Sequence, residues 1–352
     1  MPSQRALAVS LLALGMMVGL APASVAAPYI RALSSFDFPT SSGSTYALGI
    51  NQHGETVGYF DDSNGLEEGF VRRKNGKFDA PIIASPGFST FATAINASRT
   101  VGGYAYLPQM PSQQGFLLSA GVFSYFAAPP PFFGEPPFFI ETSIYGLNDL
   151  GSFVGYHVYS TDPDVGFQPF SDISSQYEEL EPQLGSIQNI EIDAYAKGIN
   201  NGNEIVGYYI RYGDVTAHGF VLACDGTVAT LDYPGAVDTY LNGINNHGMI
   251  VGAYDDAVGS PTTHGMVSLR STTFISFDYP GAVSTTINAV NDRDEVVGSY
   301  TDSSNLTHGF IGKIIHTRKD LGADLGQDES VAPKLSRGGE AQPAPDADYD
   351  HK

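Results

Sequence analysis

The chain has 352 residues, 42% of them hydrophobic and 16% charged, which supplies ample apolar material for a packed core and excludes wholesale disorder. Its 40 glycines and 22 prolines follow no Gly-X-Y period, so they exclude collagen and long helices and point to a turn-rich, all-β protein. The formal charge of -21, from 38 acids against 17 bases, repels nucleic acid phosphates and anionic membrane surfaces, so neither is an expected partner.

In chain order, residues 1–26 read as a secretory signal: Arg5 supplies the positive start, Ala6 to Leu20 an apolar run, and Ala21 to Ala26 a small-residue exit. A spanning helix takes roughly 20 apolar residues, more than this run or any later one offers. The expectation is a secreted or periplasmic protein with no membrane span. Export brings disulfides within reach, yet Cys224 is the only cysteine, so no bridge forms within the chain. Its setting, Phe220-Val221-Leu222-Ala223-Cys224, predicts a small buried residue in a strand-like stretch.

Ile30 to Pro39, ending Phe36-Asp37-Phe38-Pro39, precedes the strongest signal in the chain, a Gly/Ala-aliphatic-Asn triplet followed by Val-Gly. The copies are Gly49-Ile50-Asn51 with Val57-Gly58, Ala94-Ile95-Asn96 with Val101-Gly102, Gly146-Leu147-Asn148 with Val154-Gly155, Gly198-Ile199-Asn200 with Val206-Gly207, Gly243-Ile244-Asn245 with Val251-Gly252, and Ala289-Val290-Asn291 with Val297-Gly298. Successive asparagines lie 45, 52, 52, 45 and 46 residues apart. Short β-branched segments around polar turns such as Asn245-Asn246-His247-Gly248 predict a hairpin in each unit. A third strand opens with Gly-Phe or a similar pair (Gly69-Phe70, Gly115-Phe116, Gly166-Phe167, Gly219-Phe220, Gly265-Met266, Gly309-Phe310), and Val228 to Tyr233 and Phe274 to Tyr279 exemplify a fourth.

Four antiparallel strands in each of six such units predict a six-bladed β-propeller over residues 27–314, with a parallel β-helix or other solenoid as the alternative. The sixth unit stops after its third strand, while Ile30 to Pro39 is similar to the fourth strands ending Leu231-Asp232-Tyr233-Pro234 and Phe277-Asp278-Tyr279-Pro280. The N-terminal strand is therefore expected to pair with His308 to Ile314 and close the ring. Residues 315–352, polar and dotted with proline, predict a disordered tail.

Gly-Ile-Asn, a turn, Val-Gly-x-Tyr, then His-Gly-Phe and Asp-Tyr-Pro-Gly-Ala together resemble the bacterial extracellular repeat of the HAF family, best in Gly198 to Ala236, Gly243 to Ala282 and Ala289 to Phe310. The first three units depart from it, with Glu68, Gln114 and Val165 at the histidine position. The resemblance implies an exported, repetitive protein and no reaction.

Two stretches interrupt the repeat. The first sets Phe132, Phe133, Phe138 and Phe139 among five prolines, an extended apolar loop that is a candidate binding surface or a plug over a blade end. The second gathers Asp172, Glu178, Glu179, Glu181, Glu191 and Asp193, which read as solvated acids. Asp61, Asp62, Asp255, Asp256 and Asp302 fall on loops of one disc face and make a candidate calcium surface, although no single loop offers the several oxygens that ion prefers. Asn51, Asn96, Asn148, Asn200, Asn245 and Asn291 are read as turn-capping scaffold, and His218, His264 and His308, which recur with the repeat, as structural rather than ligating. No nucleophile elbow, phosphate loop or zinc-binding helix is found, and no cofactor is expected beyond a calcium option. The expectation is a monomeric, non-catalytic binding scaffold for a macromolecule or glycan. The alternatives are a hydrolase or lactonase with a cation at the channel, and a structural surface component.

Overall fold

The computed structural model describes residues 27–108, 113–126, 140–159, 168–173, 176–180, 192–211, 213–260, 262–269 and 273–316. They form six antiparallel sheets, the blades of a β-propeller. The first is β2 (Thr45–Ile50), β3 (Thr56–Asp61) and β4 (Glu67–Arg72), and the second is β5 (Thr90–Ile95), β6 (Val101–Ala105), β7 (Gln114–Ser119) and β8 (Val122–Phe126). The third is β9 (Ile140–Leu147), β10 (Phe153–Tyr159), β11 (Gln168–Ile173) and β12 (Gln176–Glu179), and the fourth is β13 (Ile192–Ile199), β14 (Ile205–Arg211), β15 (Ala217–Leu222) and β16 (Val228–Thr230). The fifth comprises β17 (Asp238–Ile244), β18 (Ile250–Asp255), β19 (His264–Leu269) and β20 (Thr273–Phe277). The sixth is β21 (Ser284–Val290), β22 (Glu295–Thr301), β23 (Thr307–Ile315) and, on its outer edge, β1 (Tyr29–Phe36). Among the described residues no helix is long and apolar enough to cross a membrane.

The repeat motif follows from one backbone event. Each innermost strand carries a one-residue bulge three positions before its asparagine, so the ladder to the second strand skips residue 48, 93, 145, 197, 242 or 288. A preceding carbonyl then sits against the second strand, where a Cβ on Gly58, Gly155, Gly207 or Gly252 would fall 1.8 to 1.9 Å from the carbonyl oxygen of Tyr46, Ser143, Tyr195 or Tyr240. Only glycine fits. The third strand lays a large side chain beside it, and Phe70, Phe116, Phe170, Phe220, Met266 and Phe310 are all fully buried. Burying such a side chain contributes about 1.5–3 kcal/mol.

That geometry corrects four sequence expectations. In the second blade the glycine under the carbonyl is Gly103, 2.0 Å from the Phe91 oxygen, so the pair stands one residue later than Val101-Gly102. In the third blade Gly155 faces Phe170, so Pro169-Phe170 occupies the slot expected for Gly166-Phe167. The first blade has three ladder strands, with isolated bridges from Phe78 to Arg72 and from Ile82 to Gly69 in place of a fourth. Pro81, between those bridges, has no N–H to give a ladder. Cys224 is exposed, because the chain turns there, with Gly226 N–H donating to the Ala223 carbonyl.

Each of the six contacts between neighbouring blades has its own apolar cluster. The cluster between the sixth and first blades joins Val297 and Ile311 to Ala47, Ile50, Phe60 and Phe70, with Phe36 and Phe38 from the N-terminal segment. Strand β1 pairs antiparallel with β23, from Tyr29 opposite Ile315 to Phe36 opposite Gly309.

Candidate functional site

The six asparagines end the innermost strands and form a ring. Each Oδ1 spans its own turn; Asn245 Oδ1, for example, accepts from the His247 and Met249 N–H groups at 3.0 and 2.9 Å. Each Nδ2 donates to the carbonyl of the next asparagine: Asn51 to Asn96, on through Asn148, Asn200, Asn245 and Asn291, and from Asn291 back to Asn51, at 3.0 to 3.3 Å. One position further on, Asp149, Asn201, Asn246, Asp292 and Gln52 repeat the arrangement, each accepting from the backbone N–H of the preceding blade. One face of the disc is therefore occupied by its own hydrogen bonds.

The opposite face carries the hairpins between second and third strands and the connections between blades. There His218 Nδ1 lies 2.9 Å from Asp232, and His264 and His308 Nδ1 lie 2.8 Å from Asp278 and Asp37. His264 and His308 also reach Asp256 and Asp302 through Nε2, at 3.6 and 3.5 Å. The histidines strap a hairpin to the exit of the outer strand, and Asp37 performs this for the sixth blade from the N-terminal segment. The tyrosines beside these aspartates cross to the next blade, Tyr233 stacking on Tyr254 at 3.8 Å and Tyr279 on Tyr300 at 3.9 Å; Phe38 does the same on Phe60 at 3.8 Å.

The candidate calcium residues are distributed over the first, fifth and sixth blades. Asp62 Oδ1 accepts from the Asn64 and Leu66 N–H groups, and Asp302 Oδ1 from those of Ser304 and Leu306. These backbone donors hold both carboxyls below the usual range. Asp61 accepts from the Ser44 N–H at 2.9 Å. Burial raises Asp255, and its neighbour Asp256 faces His264. Among the described residues no three His, Cys, Asp or Glu side chains cluster as metal ligands. Asp172, Glu178 and Asp193 fall on β11, β12 and β13, whereas Glu181, Glu191 and the side chain of Glu179 lie outside the described residues. Phe132, Phe133, Phe138 and Phe139 also lie outside them; the strand ends flanking that segment, Phe126 and Ile140, are both at the hairpin face.

The same face exposes large apolar side chains at its hairpin tips: Tyr106, Val215, Val258 and Leu306 in the second, fourth, fifth and sixth blades, with Val283 on a connection between blades. Val215 is 73% exposed and Val258 62%.

The central channel is where the blades differ. The six bulged residues, Leu48, Thr93, Tyr145, Lys197, Asn242 and Asn288, line a cavity of about 150 Å³. The repeat motif does not mark them, although a signal exists: the residue before each Gly/Ala-aliphatic-Asn triplet varies through Leu, Thr, Tyr and Lys and recurs only as Asn in the last two units. Thr93 donates to the Ile144 carbonyl at 2.6 Å, and the Asn242 and Asn288 Nδ2 groups donate to the Ile287 and Ala47 carbonyls at 3.2 and 2.8 Å. Lys197 Nζ sits 3.3 Å from the centroid of the Tyr145 ring, and burial pushes its amine down to about 7. Tyr145 belongs to an arc of rings, Tyr46, Tyr59, Phe91, Tyr104, Tyr145, Tyr156, Tyr195, Tyr208 and Tyr240, with successive centroids 4.6 to 5.8 Å apart. Alanine and small hydroxylated residues (Ala253, Thr286, Ser299) stand at the matching positions of the fifth and sixth blades.

No protein-family model matches the sequence, and no curated protein matches it. Among solved structures the chain is similar to virginiamycin B lyase from Staphylococcus aureus (10% identity, TM-score 0.40, covering 82% of this chain and 99% of that one). It is also similar to TolB from Acinetobacter baumannii (10%, 0.44, covering 80% and 66%) and to an Aleuria aurantia lectin mutant in complex with Fucα1-6GlcNAc (9%, 0.48, covering 81% and 97%). At these scores and identities the likenesses assign this chain no activity and no ligand.

Proposed function

We propose that this is an exported, non-catalytic binding propeller, a HAF-type repeat protein that engages a glycan or other macromolecule through its hairpin face. The observation that carries the reading is the set of apolar tips, Tyr106, Val215, Val258 and Leu306, repeated on the hairpins of a single face among acidic loops. Side chains that recur elsewhere in the repeat are spent on holding blades together; these leave apolar surface in solvent, and burying it on a partner gives about 25 cal/mol per Å². The loop carboxylates add acceptors for the paired hydroxyls of a sugar or for a basic surface.

Purified protein is to be screened on a glycan array and against basic protein surfaces, with and without calcium. The reading expects binding that falls at least tenfold in a Val215→Ser/Val258→Ser/Leu306→Ser variant whose melting transition is unchanged. Turnover of ester or lactone substrates would move the assignment to a hydrolase. Self-association without ligand would move it to a structural component.

A further inference from the structure

We propose that the central channel is a separate binding site for a small hydroxycarboxylate, with the carboxylate on the Lys197 ammonium and the hydroxyl on the amide oxygens of Asn242 and Asn288. A bulge re-aims one side chain per innermost strand: in the second, fifth and sixth blades Thr93, Asn242 and Asn288 donate to a carbonyl of the next blade, whereas the first, third and fourth place Leu48, Tyr145 and Lys197 there. The lining divides by blade: Leu48, Thr93 and Tyr145 on one half, Lys197, Asn242 and Asn288 on the other.

Donors and acceptors decide the ligand class. The Thr93 hydroxyl is spent on a carbonyl, and so is one N–H of each amide group of Asn242 and Asn288, which leaves on each amide an Oδ1 acceptor and a second N–H donor. The cation of the lining is Lys197, whose neighbour is a ring face; among the described residues no carboxylate pairs with it. A half-buried ammonium without an anion is costly, and an anion that fits the cavity supplies the missing charge. A carboxylate meets the cation, and a hydroxyl, which both donates and accepts, meets the remaining amide groups. The cavity of about 150 Å³ limits it to a few non-hydrogen atoms, since one water occupies about 30 Å³ of liquid. Because burial lowers the amine, the charged form that binds the carboxylate is fully present only in acid, and binding takes up a proton near neutrality.

The test is calorimetric titration of the full chain with glycolate, acetate and ethylene glycol at pH 6 and pH 8.5, for wild type, Lys197→Met and Asn242→Leu, with melting curves to confirm folding. The inference predicts glycolate binding at pH 6 that weakens at least tenfold at pH 8.5 and disappears in Lys197→Met. Acetate should bind at least fivefold more weakly than glycolate, with the difference lost in Asn242→Leu, and ethylene glycol should not bind. Glycolate binding that survives Lys197→Met, or its absence from wild type at pH 6, overturns the site; acetate binding as tightly as glycolate overturns the role of the hydroxyl. Macromolecular binding at the hairpin face is read separately on the same preparations, so either site fails without the other.

Discussion

At the scale of the residue, the asparagine that marks each repeat does three jobs at once. Asn245, 3% exposed, accepts two turn N–H groups and donates across to the next blade, so truncating it strands buried backbone groups on both sides. Asn245→Ala is expected to destabilise the protein by about 2–4 kcal/mol, a fall of roughly 5–10 °C in melting temperature. Asn201→Ala removes a half-buried bond to the Asp149 N–H and should cost less than about 1.5 kcal/mol. Paired thermal and denaturant melts separate the two. Lys197 supplies the pH-dependent case. Its folded pKa is lowered, so between about pH 7 and the ordinary lysine value the unfolded chain binds more protons, and stability rises with pH across that window. The Tyr145 face offsets part of the penalty. Lys197→Met should therefore stabilise the protein by about 2–3 kcal/mol at pH 6–7 and by little near pH 10.5, read from urea melts at the two pH values.

At the scale of the element, what the sequence disclosed was the strand that repeats. Asparagine, Val-Gly and Gly-Phe mark turn, close approach and core, and a period near 45 residues counts the blades. What stayed hidden was register, because a bulge shifts pairing by one residue without changing composition; hence the offsets at Gly103 and Pro169-Phe170. The channel residues were hidden for the opposite reason, since a search for similarity passes over the position that varies. Self-comparison showed one histidine per late unit, but not that each faces the aspartate of its own Asp-aromatic-Pro exit, nor that the first blade, with Glu68 in place of histidine, bridges through Ile82 and lacks that pair. The arc of rings gives this scale its prediction. Burial pushes Tyr104 and Tyr240 up to about 12 and Tyr59, Tyr195 and Tyr208 higher still. An absorbance titration at 295 nm should show a late population, the phenols of Tyr59, Tyr104, Tyr145, Tyr195, Tyr208 and Tyr240, ionising only as the protein unfolds. Unfolded phenols lose protons from about pH 10 while folded ones keep theirs, so stability falls as pH rises from about 10 to 12.

At the scale of the whole molecule, six sheets that each leave two apolar faces bare are stable only if every face finds a neighbour. The seam between the sixth and first blades has the same features as the other joins: an apolar cluster, an asparagine bond from Asn291 to Asn51, and a His–Asp strap from His308 to Asp37. Its distinguishing feature is that the outer strand comes from the other end of the chain. The ring is thus latched by a strand from the N-terminal segment, β1 on β23. A cysteine pair at Arg31 and Lys313, opposite each other on β1 and β23, tests this most directly in a Cys224→Ser background. The latched ring predicts spontaneous disulfide formation within one chain on mild oxidation, with stability gained by closing so long a loop, about 4–5 kcal/mol at most. Thiols that stay free in the folded protein, or that cross-link only between chains, would contradict it.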